Sequence, residues 1–426
     1  MKPALEGIKV IDLSQVAAVP MSARHLADFG ADVVHIENPR TGDSWRVYQD
    51  AMVRAMSAAP SKFNYCWETY NRNKRSLTLD VSKPAGRKVL GNLIKQADVF
   101  LCNMRAVELK RYRLAYSDLK KANKRIICGY LNGYGRKGPD ADTPAYDTTA
   151  YWSRSGIPQA FAFPGLPVAG YRAAFGDNLA ALCLAYGIMT ALYVREKTGI
   201  GQEIDVSLFH AGLYQLSFDI NGALATGLDF SDWRENPPAE LVEKAQKVNQ
   251  QIAEFYSAKL ANPLNAAYDT KGGRRIRVLS LQPDRYWSKF CTAIGRADLA
   301  NDPRFQTTDG RAQCNTELRQ AIGQTMLTRT LEEWVPLLEG MPYAPVQTPK
   351  EAAFDPQAME AGFIVSYDHP ATGQVKQLAS PIGMSETPAT YRLPAPEFGQ
   401  HTEEVLLEYG YSWEEIAQLK EEGVIA

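Results

Sequence analysis

The sequence predicts an α/β protein: an open parallel sheet forming a large domain, and a smaller α+β domain set into the middle of the chain. Three observations carry this. Short apolar runs rich in β-branched residues alternate with helical stretches up to about residue 208, the pattern of a sheet covered on both faces. The first three segments, 7–14, 21–29 and 31–37, form a βαβ unit, which implies a right-handed parallel crossover. Near residue 216 the chain turns polar and helix-prone, and near 345 it begins to return. We therefore expect a large domain over 1–215, a small domain with linkers over 216–345, and a C-terminal segment, 346–426, rejoining the large domain.

Gly7 to Ser14 reads as the first strand. Pro20 starts a helix over Met21 to Phe29, Gly30 ends it, and Ala31 to Glu37 is the second strand. A strand ending in an acid suggests a dinucleotide site. The intervening turn, Gln15 to Pro20, carries no glycine, however, so the loop that would approach a pyrophosphate is missing and the nicotinamide-cofactor reading is rejected. Ser76 to Val81 is a strand, and Lys83 to Ala97 a helix with Pro84 in its first turn. Asp98 to Asn103 and Arg125 to Leu131 are strands flanking one or two helices over Ala106 to Lys124. Ligands of such sheets sit beyond the carboxyl ends of the strands. Here those ends are Ser14–Ala18, Glu37–Arg40, Asn103–Arg105 and Asn132–Tyr134.

From Asn132 to Ala174 the chain is rich in Gly, Pro and aromatic residues, and long irregular stretches of this kind usually build sites. A long apolar helix follows and stops at Gly199, before a strand over Glu203 to Leu208. Beyond it, Asp229 to Leu260 is polar and helix-prone. Strands flank Gly272-Gly273, a hairpin is expected over Phe363 to Val375, and Glu403 to Glu422 is helical.

At 426 residues, 45% hydrophobic, 22% charged and with net charge −1, the chain has an ordinary globular composition. Its lysines and arginines are dispersed, which leaves no electrostatic footprint for nucleic acid. The N-terminus has no apolar signal core. The longest apolar stretch, Leu179 to Val194, is 16 residues, short of the ~20 that span a bilayer, and reads as a helix buried inside protein. Six cysteines show no CxxC and no paired spacing with the histidines, so no zinc site is expected and reduced cytoplasmic thiols are.

Phe175-Gly176-Asp177-Asn178 opens the apolar helix. It puts a carboxylate where backbone N–H groups and the helix dipole converge. By itself this reads as an N-cap; the rest of the chain changes the reading. Three patterns together resemble the family III CoA-transferases, the group of formyl-CoA:oxalate and carnitine CoA-transferases. The first is Leu5-Glu6-Gly7-Ile8-Lys9-Val10-Ile11-Asp12, followed by Ala27-Asp28-Phe29-Gly30-Ala31-Asp32. The second is Asn73-Lys74-Arg75-Ser76-Leu77-Thr78-Leu79-Asp80. The third is Gly176-Asp177 with its helix, then Arg195-Glu196-Lys197-Thr198-Gly199-Ile200-Gly201-Gln202. Gly399-Gln400-His401-Thr402 near the end also fits.

The resemblance implies a Rossmann-like large domain, built from both chain ends, that binds CoA. It also implies an interlocked dimer of two ring-shaped chains, with acyl-CoA and a carboxylic acid as substrates and no permanently bound cofactor. Asp177 matches the catalytic aspartate, whose carboxylate would pass through an anhydride and an aspartyl-CoA thioester. Ala17 and Ala18 match backbone contacts to CoA, and Leu79, Ser82, Asn103, Met104, Arg105 and Arg111 match the nucleotide pocket. Arg111 suits a phosphate, yet equally reads as a solvated arginine beside Lys110 and Arg113. Where the family often has Arg, this chain has Asn38, with Arg40 as the replacement. Tyr146 and Asp147 match residues near the thioester, or else are a packing anchor and a helix cap.

The α-methylacyl-CoA racemases share the fold and typically carry His where this chain has Tyr146. A phenol is a poor base at neutral pH, so transfer is favoured over proton movement. A heteromer with a paralogous subunit is the other alternative, in which Asp177 would make this the active chain. Trp152, Phe161, Phe163, Pro164 and Tyr171, in or beside the loop 157–174, suggest an acceptor site shared with the small-domain junction. They point to a bulky or aryl-bearing acid of the benzylsuccinate type, with succinyl-CoA as donor; equally, they are core packing.

Overall fold

Six parallel strands form one sheet, and its central strands are built from near-continuous apolar runs, as expected of a sheet buried on both faces. The computed structural model describes residues 2–55, 63–161, 170–227 and 262–426. The strands are β1 (Lys9–Leu13), β2 (Asp32–Glu37), β3 (Arg75–Thr78), β4 (Val99–Cys102), β5 (Ile127–Asn132) and β6 (Glu203–Ser207). They lie in the order β3-β2-β1-β4-β5-β6, every pairing parallel. This is the doubly wound Rossmann arrangement, whose order reverses between β1 and β4.

Alternation along the strands separates two cores. Ile11, Val34, Phe100 and Cys102 face one layer, made by the helix α4 (Pro84–Gln96) and the C-terminal helices Thr402–Glu408 and Trp413–Glu421. Val10, Val33, Val99 and Leu101 face the other, made by α1 (Ala18–Asp28) and the long helix Phe175–Thr198. The C-terminus is tied to the sheet edge: the Asp80 N–H donates to the Val424 carbonyl at 2.8 Å, and the Ala426 N–H to Thr78 Oγ1 at 2.9 Å.

Several elements depart from the sequence expectation. α1 begins at Ala18, two residues ahead of Pro20; proline is tolerated there because first-turn N–H groups have no partner inside the helix. Two helices, α2 (Trp45–Ala55) and α3 (Tyr65–Asn71), precede β3 where none was expected. The segment 106–124, by contrast, agrees with the one or two helices expected there: it forms two, α5 (Ala106–Tyr112) and α6 (Tyr116–Ala122), broken at Arg113 in the left-handed region. The apolar helix, α8 in chain order after the single turn α7 (Ile157–Ala160), has 24 residues, and only one of its faces is buried. Ala180, Ala181, Leu184, Ile188 and Ala191 pack inward, while Tyr186 and Tyr193 are 77% and 63% exposed, so the helix read from sequence as buried inside protein buries one face within this chain.

The chain divides into two compact units, Met1–Glu235 with Met359–Ala426, and Asn236–Ala358. The strand at Tyr343–Pro345, read from sequence as the start of the return, instead pairs within the second unit, antiparallel to Arg275–Leu279. That unit also pairs Asn265–Asp269 with Arg275–Leu279, and buries Trp287, Phe290, Ile322 and Trp334 in its own core. In the first unit, Ile364–His369 and Gly373–Leu378 form the expected hairpin. The polar stretch expected over Asp229 to Leu260 lies outside the described residues.

Candidate active site

A cavity of about 510 Å³ opens at the carboxyl ends of the parallel strands, at the point where strand order reverses. Four strand ends line it: Ser14–Ala18 after β1, Asn38 after β2, Asn103–Arg105 after β4, and Asn132–Gly133 after β5. Leu79 to Ser82 after β3 complete the nucleotide-like half, and Tyr146, Asp147 and Asp177 form the far end. Of the residues singled out from sequence, Ala17, Ala18, Leu79, Ser82, Asn103, Met104, Arg105, Tyr146, Asp147 and Asp177 meet in this one space.

Arg40 and Arg111 do not line it. Arg40 is 78% exposed, its guanidinium 3.8 Å from the Asp80 carboxylate, which does line the cavity. Arg111 lies on α5 with its guanidinium 5.5 Å from the ring centre of Tyr112, itself a lining residue. Asn103 holds the neighbouring backbone: its side chain accepts from the Gln15 N–H at 3.2 Å and donates to the Gln15 carbonyl at 2.8 Å. Ser82 Oγ donates to Asp80 at 2.5 Å. None of the five histidines lines the cavity.

Asp177 is the third residue of α8 and is not its cap. The N-cap is Ala174, in the left-handed region at φ 59° and without a side-chain acceptor. Asp147 supplies the acceptor from a distant segment: its Oδ2 takes the Gly176 N–H at 3.0 Å, the Asp177 N–H at 3.3 Å and the Tyr171 hydroxyl. Tyr171 Oη in turn accepts the Ala174 N–H at 2.8 Å. Thus Asp147, Tyr171 and the first turn of α8 form one closed unit. Two N–H groups that could have faced a reacting oxygen are already engaged.

Burial, and then the nearby Asp147 carboxylate, push the Asp177 carboxyl up to about 7. Burial likewise raises Asp147, against the stabilising hydrogen bonds from Tyr171, Gly176 and Asp177. Gly176 makes the packing possible, because a Cβ there would overlap the Tyr151 ring and the Asp147 carboxylate. A turn of π-helix over Thr148–Ser153 presents Trp152 to this corner, with ring centres 5.9 Å from Phe175 and 6.0 Å from Tyr171. Phe161 is exposed, and Phe163 and Pro164 lie outside the described residues.

The strand end Ser14–Ala18 named from sequence lines the cavity throughout, whereas sequence reasoning missed Asp80, Glu108 and Tyr112 among the lining residues. Their signal was position alone: each directly follows a strand or lies on the helix after one.

A doubly wound parallel sheet with a cavity at its switch point, and a carboxylate of raised pKa at the far end, defines an α/β enzyme with room for a nucleotide-bearing substrate. The chain belongs to the CoA-transferase family III, whose model matches residues 5–402. It is 33% identical to (R)-2-hydroxy-4-methylpentanoate CoA-transferase of Clostridioides difficile, over 99% of each chain. It is 30% identical to cinnamoyl-CoA:phenyllactate CoA-transferase of Clostridium sporogenes, over 98% of this chain and 96% of that one. Among solved structures, a CaiB/BaiF family protein from Brucella suis superposes with a TM-score of 0.77 at 25% identity, covering 96% of this chain and 100% of that chain.

Proposed function

We propose that this CoA-transferase moves CoA from an acyl-CoA to a bulky or aryl-bearing carboxylic acid through covalent intermediates on Asp177. The observation that carries the reading is the position of Asp177: a carboxylate of raised pKa in the same cavity as five strand ends able to hold CoA. The start of α1 supports the CoA end. Its first turn has no side-chain cap and no acid, and Ala17 and Ala18 line the cavity there, so its N–H groups and dipole favour a diphosphate.

The Asp177 carboxylate attacks the thioester carbonyl. The C–S bond breaks, CoA thiolate departs, and a mixed anhydride forms. The thiolate then attacks the aspartyl carbonyl, releasing the donor as its carboxylate and leaving Asp177 as a CoA thioester. The acceptor carboxylate attacks that thioester to give a second anhydride and thiolate, which closes on the acceptor carbonyl and frees Asp177. Each exchange is of similar energy, so one difficult transfer is divided into easier ones.

Trp152 packs against Tyr171 and Phe175 at the start of the helix that carries Asp177, outside the cavity lining, and Phe175 is 54% exposed. An apolar wall of this size suits a branched or aryl acid, as the names of the two relatives suggest, and leaves an acid of oxalate size without contacts. Succinyl-CoA, phenyllactyl-CoA and branched 2-hydroxyacyl-CoA are the donors to try. Initial rates with a panel of acids test this reading: phenyllactate, benzylsuccinate or 2-hydroxy-4-methylpentanoate should exceed oxalate and formate in kcat/KM. Preference for the small acids contradicts it.

Tyr186, Met189 and Tyr193 on α8 are exposed, as are Tyr214 and Phe218 on the helices that follow β6. Apolar surface of this extent is suited to a second copy of the chain, and the family leads us to propose the interlocked dimer. Six free cysteines fit a reducing, cytoplasmic setting.

A further inference from the structure

The β1–α1 turn makes its bend without glycine. Val16, which lines the cavity, lies in the left-handed region at φ 75°, where a β-branched residue is a true outlier. Such strain persists only where the surroundings impose it. Here the imposing group is Asp43, whose carboxylate accepts the Val16 N–H at 3.1 and 3.2 Å. Asp43 is 2% exposed, does not line the cavity, and also accepts the Trp45 N–H at 2.8 Å at the start of α2.

Behind the turn lies a buried charged group. His35 stands between two carboxylates, its Nδ1 2.9 Å from Asp12 and its Nε2 3.7 Å from Asp43. Lys74 Nζ pairs with Asp12 at 2.9 Å, and Ser14 Oγ donates to the other Asp12 oxygen. Asp12 therefore holds the start of the turn at Ser14 and Asp43 holds its apex at Val16, with His35 joining them.

We infer that Asp43 is a positioning residue for acyl-CoA: by clamping the Val16 amide it fixes the backbone from Gln15 to Ala18 on which CoA rests. The inference rests on the CoA-transferase reading of the cavity. Without the clamp Val16 relaxes toward negative φ, and the wall formed by Ala17 and the start of α1 moves with it. A glycine at position 16 holds the same conformation without strain.

The test is calorimetric titration of CoA into the full chain, with kcat, KM and thermal midpoint measured beside it. Asp43→Ala is expected to weaken CoA about tenfold, equivalent to about 1.4 kcal/mol, and to raise KM for acyl-CoA while kcat at saturation changes little. Val16→Gly placed in that background is expected to recover most of the affinity. Should Asp43→Ala fail to fold, Asp43→Asn carries the test: it keeps an acceptor for the Val16 N–H, and about a threefold loss, again recovered by Val16→Gly, is expected. A lower thermal midpoint with unchanged CoA affinity, or an affinity loss that glycine does not recover, overturns the inference. Wild-type protein that does not bind CoA overturns the CoA-binding reading itself, and the inference with it.

Discussion

Asp177 occupies a position where two electrostatic effects oppose each other. The first turn of α8 favours a negative charge, while burial and the Asp147 carboxylate disfavour one and set the carboxyl near 7. A carboxyl held there is partly protonated at neutral pH, and its ionised form is poorly solvated, which suits the nucleophile we propose. Attack requires the anion, so kcat/KM should rise with pH through an acid limb near 7 that belongs to the Asp147–Asp177 pair. Asp147→Asn removes the like charge and keeps an acceptor for the α8 N–H groups. The limb is then expected at lower pH, though still above the usual carboxylate range because burial remains. A pH–rate profile checks this; a limb that stays in place or moves upward contradicts the assignment. The cap role of Asp147 was only one of two readings in the sequence, because its partners, Tyr171, Gly176 and Asp177, lie 24 to 30 residues away.

At the scale of elements, strands and their order of appearance were legible because buried parallel strands carry an unmistakable run of β-branched residues, as in Val33-Val34 and Ile126-Ile127. The helices α2 and α3 were not. Both are dense in aromatic and polar residues, and each is fixed by tertiary contacts: the Trp67 indole N–H donates to the Pro396 carbonyl at 3.0 Å, and Arg46 forms a two-point pair with Glu37 at 2.7 Å. The glycine-free turn after β1 was legible as a reason to reject a nicotinamide site, but not as a strained bend, since the residue that imposes it, Asp43, is 27 positions away. The junction of the π-helical turn with α8 is equally tight. Gly176→Ala would drive a methyl group into Tyr151 and Asp147. We expect a loss of about 1–3 kcal/mol in stability and a fall in kcat larger than any change in KM, measurable by denaturant unfolding and steady-state kinetics. Wild-type values on both counts would show that the packing around Asp177 is loose.

On the scale of the whole molecule, both chain ends meet in one unit, and a second unit with its own core is inserted between them. In the proposed dimer the long helix α8 would join function and assembly. Its start carries Asp177, its buried face packs on the sheet, and its outer face presents Tyr186 and Tyr193. Tyr186→Asp with Tyr193→Asp is expected to convert a dimer to monomer or to insoluble chain, read by light scattering after gel filtration; an unaltered dimer would place the interface elsewhere. This division of faces was not legible in the sequence, because α8 is apolar all round and its periodicity does not say which side is left uncovered.

The central claim is that Asp177 carries CoA during turnover, and intact-protein mass spectrometry after brief incubation with acyl-CoA tests it most directly. The account predicts a CoA-sized adduct on the wild-type chain, discharged by added acceptor acid and missing from Asp177→Ala. An active enzyme that never acquires the adduct, or an Asp177→Ala chain that still does, would contradict it.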